Sequence, residues 1–442
     1  MASQPRLRFG TDGLRARADA FTPELLRELG RAAAHVLGRD RWLIGRDPRE
    51  SSPAIEAALA AGLADEGVDV TLLGVLPTPA VACASREWDA PAAVISASHN
   101  TYVDNGVKLF AAGGRKLADD VQAEIERLLD ADGIAPAAAP GVVTSDEAFA
   151  QRYVDWLVST MEGRRLDGLT MVVDGANGAA AQVGPALFEA LGASVIAINV
   201  SPDGRNINEG CGSQHPEGAR EAVLAAGADI GLALDGDGDR VFAIDSTGGI
   251  VDGDQIMAMC AIDLRDRGRL TDDTVVVTVM SNLGLRIAMR DAGIALAETP
   301  VGDRYVLEEL DDRGLSLGGE QSGHVIFHDL APTGDGLLTS LRVLDLMRRS
   351  GRTLTDLAAV MTRFPQVLVN VPVPAVGDVA DAMADEIAEA ERRLAGRGRV
   401  LIRPSGTEPL VRVMVEAPTE AEAKEVAERL ADVVARVAAA SS

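Results

Sequence analysis

Cysteine is scarce in this chain. Cys83, Cys211 and Cys260 are the only three, far apart and with no C-x-x-C pair. That spacing excludes a disulfide framework and a zinc ribbon, and predicts reduced thiols. Long apolar runs are missing too. No stretch approaches the ~18 apolar residues of a membrane span, and the start MASQPRLRFG carries no apolar segment of the secretory kind. The expectation is a soluble, cytoplasmic protein with no membrane partner. Positive charge is also in short supply: the formal net charge is −25, and the only lysines are Lys108, Lys116 and Lys424. A field of that sign repels phosphate backbones, so nucleic acid is excluded as a partner, and a small anionic substrate would need arginines gathered locally.

What is present is a repeated pattern. An apolar strand, a turn rich in Asp, Asn or Gly, an alanine-rich amphipathic helix, a glycine and a second apolar strand recur three times. The copies are WLIGRDPRESSPAIEAALAAGLADEGVDVTLLG, TMVVDGANGAAAQVGPALFEALGASVIAINV and TVVVTVMSNLGLRIAMRDAGIALAETP. Each reads as a βαβ unit, whose functional loops gather at the carboxyl ends of the strands. The tail differs: RFPQVLVNVPV, then a helical stretch, then two strands around the turn in GRVLIRPSGTEPLVRVMVEA, then a closing helix from Glu420 to about Ala440. The predicted fold is α/β: three similar mixed α/β domains followed by a smaller α+β C-terminal domain. The expected boundaries are 1–155, 156–255, 256–368 and 369–442. The low-complexity patch APAAAP, Ala135 to Pro140, reads as a loop.

Four polar loops carry chemistry. In ISASHNTYVDNGVKLF, a strand ends on Ser96, Ser98 and His99 and is followed by Lys108. In ALDGDGDR, Asp235, Asp237 and Asp239 alternate with glycines, so three carboxylates can face one point. Such a group repels itself unless a cation neutralises it, and a hard divalent ion such as Mg²⁺ suits oxygen ligands. A calcium EF-hand loop counted from Asp235 would need glycine and glutamate where Arg240 and Ser246 stand, so that reading fails. In LGGEQSGHVIF, Glu320, Ser322 and His324 offer a carboxylate, a hydroxyl and an imidazole to the hydroxyls of a polar ligand, or simply make a turn. In IRPSGTEPLVRV, Arg403, Ser405, Gly406, Thr407 and Arg412 can surround an anion through guanidinium groups and backbone N–H groups.

A serine at a strand end, with a metal loop and a phosphate clamp in the same chain, is suited to carry a phosphoryl group. Positioning, a metal and nearby cations such as His99 and Lys108 are what that transfer requires. A metallophosphatase would need a water-activating zinc pair, and the five histidines form no such cluster. A noncatalytic sugar-phosphate sensor would have no use for both Ser98 and three aspartates. Cys211 and His215 are spaced like a partial metal site but have no further ligands nearby in sequence, which favours a structural role.

FGTDGLR, SASHN with DNGVK, DGDGDR, GEQSGH and RPSGTEP, in this order from residue 9 to about 415, resemble the α-D-phosphohexomutases. The form GEQSGH with TPVGDRYV and NINEGCGSQHPE resembles the branch that interconverts glucosamine 6-phosphate and glucosamine 1-phosphate, toward UDP-N-acetylglucosamine and the cell wall. Branches acting on mannose or glucose phosphates are the alternative. The resemblance implies four domains around a central cleft, an isomerase activity on a sugar phosphate, and a glucosamine 1,6-bisphosphate intermediate. It makes Ser98 the phosphoserine, and Asp235, Asp237 and Asp239 the Mg²⁺ ligands together with it. Glu320 and Ser322 become sugar contacts, and Arg403, Ser405, Gly406, Thr407 and Arg412 the distal phosphate clamp. Arg15, His99, Lys108 and His324 match positions for phosphate contact or proton transfer, and a homodimer is compatible with it. Ala16 and Thr101 depart from the usual Gly and Pro, which alters loop stiffness rather than chemistry.

Overall fold

The computed structural model describes residues 7–10, 12–38, 40–130, 137, 139–373, 382–404 and 410–440. Half of the APAAAP patch, Ala135, Pro136 and Ala138, lies outside them. The chain forms two compact units, Met1–Met280 with Ile294–Ala359, and Ser281–Gly293 with Val360–Ser442.

The first unit holds three sheets. The first comprises β1 (Phe9–Gly10), β2 (Gly13–Arg17), β3 (Arg41–Arg46), β4 (Asp69–Val75), β5 (Ala92–Ile95), β6 (Asp104–Ala111), β7 (Arg115–Lys116) and β8 (Val143–Ser145). They run in the order β1-β2-β6-β5-β3-β4-β8, with β7 on β6. The second is ordered β10-β9-β11-β12-β13, with β9 (Thr170–Asp174), β10 (Ser194–Ile198), β11 (Ile230–Leu234), β12 (Val241–Asp245) and β13 (Ile250–Val251). The third is ordered β15-β14-β16-β17, with β14 (Thr274–Thr278), β15 (Ala295–Thr299), β16 (Leu317–Gly319) and β17 (Val325–Phe327). All three repeated copies fold as βαβ units with parallel strand pairs, β3 with β4, β9 with β10 and β14 with β15. Trp42, Ile44, Leu59 and Val107 fill the first core, Val172, Ala233 and Ile244 the second, and Val276, Val306 and Ile326 the third.

The sheets repeat further than the βαβ pattern. Each has one strand that is parallel to one neighbour and antiparallel to the strand that follows it: β5, β11 and β16. The loops leaving these three strands are SASHN, DGDGDR and EQSGH. Each polar loop therefore sits at the carboxyl end of a central strand, at the point where the sheet changes direction.

In the second unit, β18 (Gln366–Pro372), β19 (Arg399–Pro404) and β20 (Leu410–Glu416) form an antiparallel sheet in the order β18-β20-β19. The helices Ala384–Leu394 and Glu420–Ala440 share its core with Val371, Ile402, Val413 and Leu430. The helix Leu283–Ala292, which links β14 to β15, belongs to this unit. The Leu283 N–H donates to Glu416 Oε2 at 2.9 Å, and Asn282 exchanges hydrogen bonds of 3.0 Å with the backbone of Phe364.

Candidate active site

Ser98 lies in the loop after β5 with a backbone φ of +50°. That is the left-handed region, costly for a residue with a Cβ by about 1–3 kcal/mol and concentrated at functional sites. Its N–H donates to Ser96 Oγ at 3.0 Å, and its fully buried Oγ donates to Asp235 Oδ2 at 2.8 Å. The serine and aspartate loops, far apart in sequence, are thus in direct contact. The metal loop also packs on its own sheet. A Cβ on Gly178 would lie 2.3 Å from the Gly236 carbonyl, and one on Gly236 would lie 2.6 Å from the Ser98 carbonyl, so both positions require glycine.

Asp235, Asp237 and Asp239 are buried, and one carboxylate oxygen from each lies within 4.8 Å of the others. Among the described residues they are the one such group of metal-ligating side chains. Asp237 Oδ2 accepts from Thr78 Oγ1 at 2.6 Å and from Lys108 Nζ at 2.8 Å. Asp237 Oδ1 and Asp239 Oδ1 are buried with no hydrogen-bond partner. Orphaned buried carboxylate oxygens are rare and costly, and three converging carboxylates suit a hard divalent cation. The residues fit a magnesium ion. Burial, then Asp239 and Asp237, holds the Asp235 carboxyl well above the usual carboxylate range. Burial also opposes ionisation of Asp239, but Lys108 and His324 outweigh it and hold its pKa well below that range.

Lys108, in the middle of β6, is buried and bridges Asp12 Oδ2 and Asp237 Oδ2, both at 2.8 Å. Burial works against its charge, but Asp12, Asp237 and Asp239 prevail and raise its pKa well above the ordinary value. Asp12 also accepts from Arg15 at 3.2 Å and Lys116 at 2.6 Å, and Lys116 pairs with Asp303. The His324 ring stands 3.5 Å from Asp239 and 3.7 Å from Asp303; burial pushes its pKa down, and Asp239 followed by Asp303 raises it overall. His99 goes the other way. Burial, then Arg240 and Arg15, pushes its pKa down to about 4, and its Nδ1 lies 3.2 Å from an Arg240 amino group and 3.5 Å from Ser98 Oγ.

Glu320 and Ser322, half-buried at the tip of the β16–β17 hairpin, lie 3.4 Å apart, and Glu320 Oε1 accepts from the Gly302 N–H at 3.1 Å. In the second unit, Arg403 and Arg412 are direct partners across β19 and β20. Burial and then Arg412 lower the Arg403 pKa. Ser405, Gly406 and Thr407 lie outside the described residues. Cys211 is buried, and its thiol is pushed up to about 12 by burial and then by Asp174.

Sequence reasoning missed several groups at this site. Asp12 lies inside FGTDGLR, Lys116 is one of three lysines, and Arg240 directly follows the third aspartate; each had a signal that could have been used. Asn208 lies inside NINEGCGSQHPE and so had one as well, whereas Thr78 and Arg49 had none. No helix among the described residues is long and apolar enough to cross a membrane.

Loops at the direction-changing strands of three α/β sheets, with a buried serine against an acidic triad, define an enzyme that moves phosphoryl groups on sugar phosphates. The chain belongs to the phosphoglucomutase/phosphomannomutase family: its alpha/beta/alpha domains I, II and III match residues 6–133, 151–249 and 252–364, and its C-terminal domain matches 368–433. Members of this family are phosphohexomutases, which are isomerases. A phosphoglucosamine mutase from Rhodococcus opacus is 53% identical over 444 residues, covering 97% of this chain and 99% of the relative. A phosphoglucomutase/phosphomannomutase family protein from Burkholderia thailandensis superposes with a TM-score of 0.80 at 25% identity, covering 96% of this chain and 97% of that one. An N-acetylphosphoglucosamine mutase from Aspergillus fumigatus, solved with GlcNAc-6P and magnesium, shares the fold with a TM-score of 0.74 at 18% identity, covering 99% and 97%.

Proposed function

We propose that this chain interconverts glucosamine 6-phosphate and glucosamine 1-phosphate in the cytoplasm, as a phosphoglucosamine mutase working through phosphorylated Ser98. The observation that carries the reading is the buried Ser98 Oγ held 2.8 Å from Asp235 in an acidic triad, in a chain 53% identical to a phosphoglucosamine mutase. Segments 1–155, 156–255, 256–368 and 369–442 each supply one loop.

The phosphoryl group leaves Ser98 Oγ for the free hydroxyl of the sugar monophosphate: the P–Oγ bond breaks, a P–O bond to the sugar forms, and the hydroxyl proton is taken up by the site. The bisphosphate then turns end for end and returns its other phosphoryl to Ser98. Asp235, Asp237 and Asp239, with the phosphoserine, would hold Mg²⁺, which when bound draws charge off the phosphoryl oxygens. Lys108 stays charged between Asp12 and Asp237 and faces the same charge. His99, neutral because its pKa lies at about 4, accepts from Arg240 at Nδ1 and so carries its proton on Nε2. Glu320 and Ser322 accept from and donate to sugar hydroxyls. Arg403, Ser405, Gly406, Thr407 and Arg412 grip the distal phosphate, and guanidinium groups recognise either phosphate whichever way the sugar points.

Sugar choice is the test. The value of kcat/KM for glucosamine 1-phosphate should exceed those for glucose 1-phosphate and mannose 1-phosphate by at least about tenfold, roughly 1.4 kcal/mol at the transition state. A better rate with either neutral sugar in a coupled assay would make the chain a phosphoglucomutase or phosphomannomutase instead.

A further inference from the structure

We infer that Arg49 and Asn208 are positioning residues that set the pose of Ser98, and the inference rests on the phosphoserine reading above. Arg49 is fully buried. A guanidinium has five N–H donors, and all five are used here. Nε donates to Asp47 Oδ2 at 2.8 Å; the other four end on carbonyls of the serine loop, those of Ser98 at 3.0 Å, Asn100 at 2.8 Å, Asp104 at 3.2 Å, and Thr101. Asn208 comes from the other side. It lies in the segment after β10, and its Nδ2 donates to the same Ser98 and Asn100 carbonyls, both at 2.9 Å.

A carbonyl oxygen has two lone pairs, and on Ser98 and Asn100 both are filled by this pair of side chains. The peptide plane after Ser98 is thereby fixed, while the Ser96 hydroxyl fixes the plane before it. Between two held planes, the left-handed backbone of Ser98 cannot relax to an ordinary conformation, and its Oγ stays aimed at Asp235. The two anchors act on different parts of the fold. Arg49 ties the loop to its own sheet, whereas Asn208 ties it to the sheet that bears the three aspartates. Asn208 is itself left-handed, at φ +58°, with its N–H on the Ala176 carbonyl at 2.9 Å. A displacement of the attacking or leaving oxygen by about 1 Å is enough to cost two powers of ten in rate.

The experiment follows uptake of a phosphoryl group by Ser98 from glucose 1,6-bisphosphate by intact mass, beside kcat, KM and the melting temperature. For Asn208→Ala, uptake and kcat should both fall about tenfold or more, with KM within about twofold and the melting temperature nearly unchanged. Arg49→Lys, which keeps the charge but loses the five-donor geometry, should lower both rates further, by about 100-fold. Uptake and kcat within twofold of wild type in Asn208→Ala, with or without a lower melting temperature, would overturn the assignment. A wild-type chain that takes up no phosphoryl group would instead refute the phosphoserine reading itself.

Discussion

The serine–aspartate cluster of the first unit and the arginine pair of the second each gather charge of one sign, and the two signs are opposite. Asp235, Asp237 and Asp239 are at most 3% exposed and leave two carboxylate oxygens without hydrogen-bond partners. Arg403 and Arg412 are half-buried and stand directly opposite each other on adjacent strands. Water screens like charges near a surface, so two arginines can stand side by side there. Buried carboxylates have no such relief. The fold must offset their charge from within, through Lys108 and Arg240 beside a hydrogen bond from Thr78, and the triad could hold a cation as well. The buried region should therefore fail sharply when one group is removed, and the surface pair should fail by degrees.

The sharpest test removes the Ser98 hydroxyl, the proposed phosphoryl carrier. Ser98→Ala should lower turnover by at least about 10⁴-fold and abolish the phosphoryl adduct of about 80 Da, while circular dichroism stays native. Near-normal turnover would break the assignment of Ser98 and, with it, the premise that the buried cluster is catalytic. Next in size is Asp237→Asn, which removes one proposed cation ligand and weakens one ion pair of Lys108. Turnover should fall by about 10²- to 10⁴-fold, and calorimetry should show weakened Mg²⁺ binding. Chelation of the wild type should silence it reversibly; full activity in a chelator would show that Lys108 and Arg240 suffice as counter-charges.

Arg412→Ala should be milder, raising KM about tenfold with a smaller loss of kcat, as expected of the proposed clamp if it holds ground and transition states alike. An equal fall in kcat would place the arginine at the transition state and erase the contrast. The smallest effect concerns Asp335, a buried carboxylate outside the triad that is satisfied by neutral donors, namely Tyr153 Oη at 2.8 Å and the Leu337 and Leu338 N–H groups at 3.0 and 2.9 Å. Burial raises its carboxyl to about 6. Because that pKa is higher folded than unfolded, its stabilisation is complete below about pH 4 and is lost as the pH rises through the folded value. Relative to Asp335→Asn, the wild type should lose about 2 kcal/mol of stability between pH 4.5 and 7.5, read from denaturant midpoints. A pH-independent difference would show that neutral hydrogen bonds alone keep a buried carboxylate ionised.

Much of this architecture is written locally. Apolar runs of strand length, alanine-rich helices of 3.6 period and glycine turns specify each βαβ unit within some thirty residues, and the alternation in DGDGD lets three carboxylates face one side. The helix Leu283–Ala292 shows where local information stops. Its pattern identifies an amphipathic face between β14 and β15, but only tertiary packing decides that the start of the helix meets Glu416 of the C-terminal unit. The same holds at the site. Lys108 reaches Asp237 across 129 residues, Asn208 reaches the Ser98 carbonyl across 110, and Ser98 meets Asp235 across 137. Periodicity and turn chemistry are properties of neighbours in the chain and are legible there. Which loop faces which depends on strand order and sheet packing, set by summed burial over whole units, and no short stretch of residues encodes it.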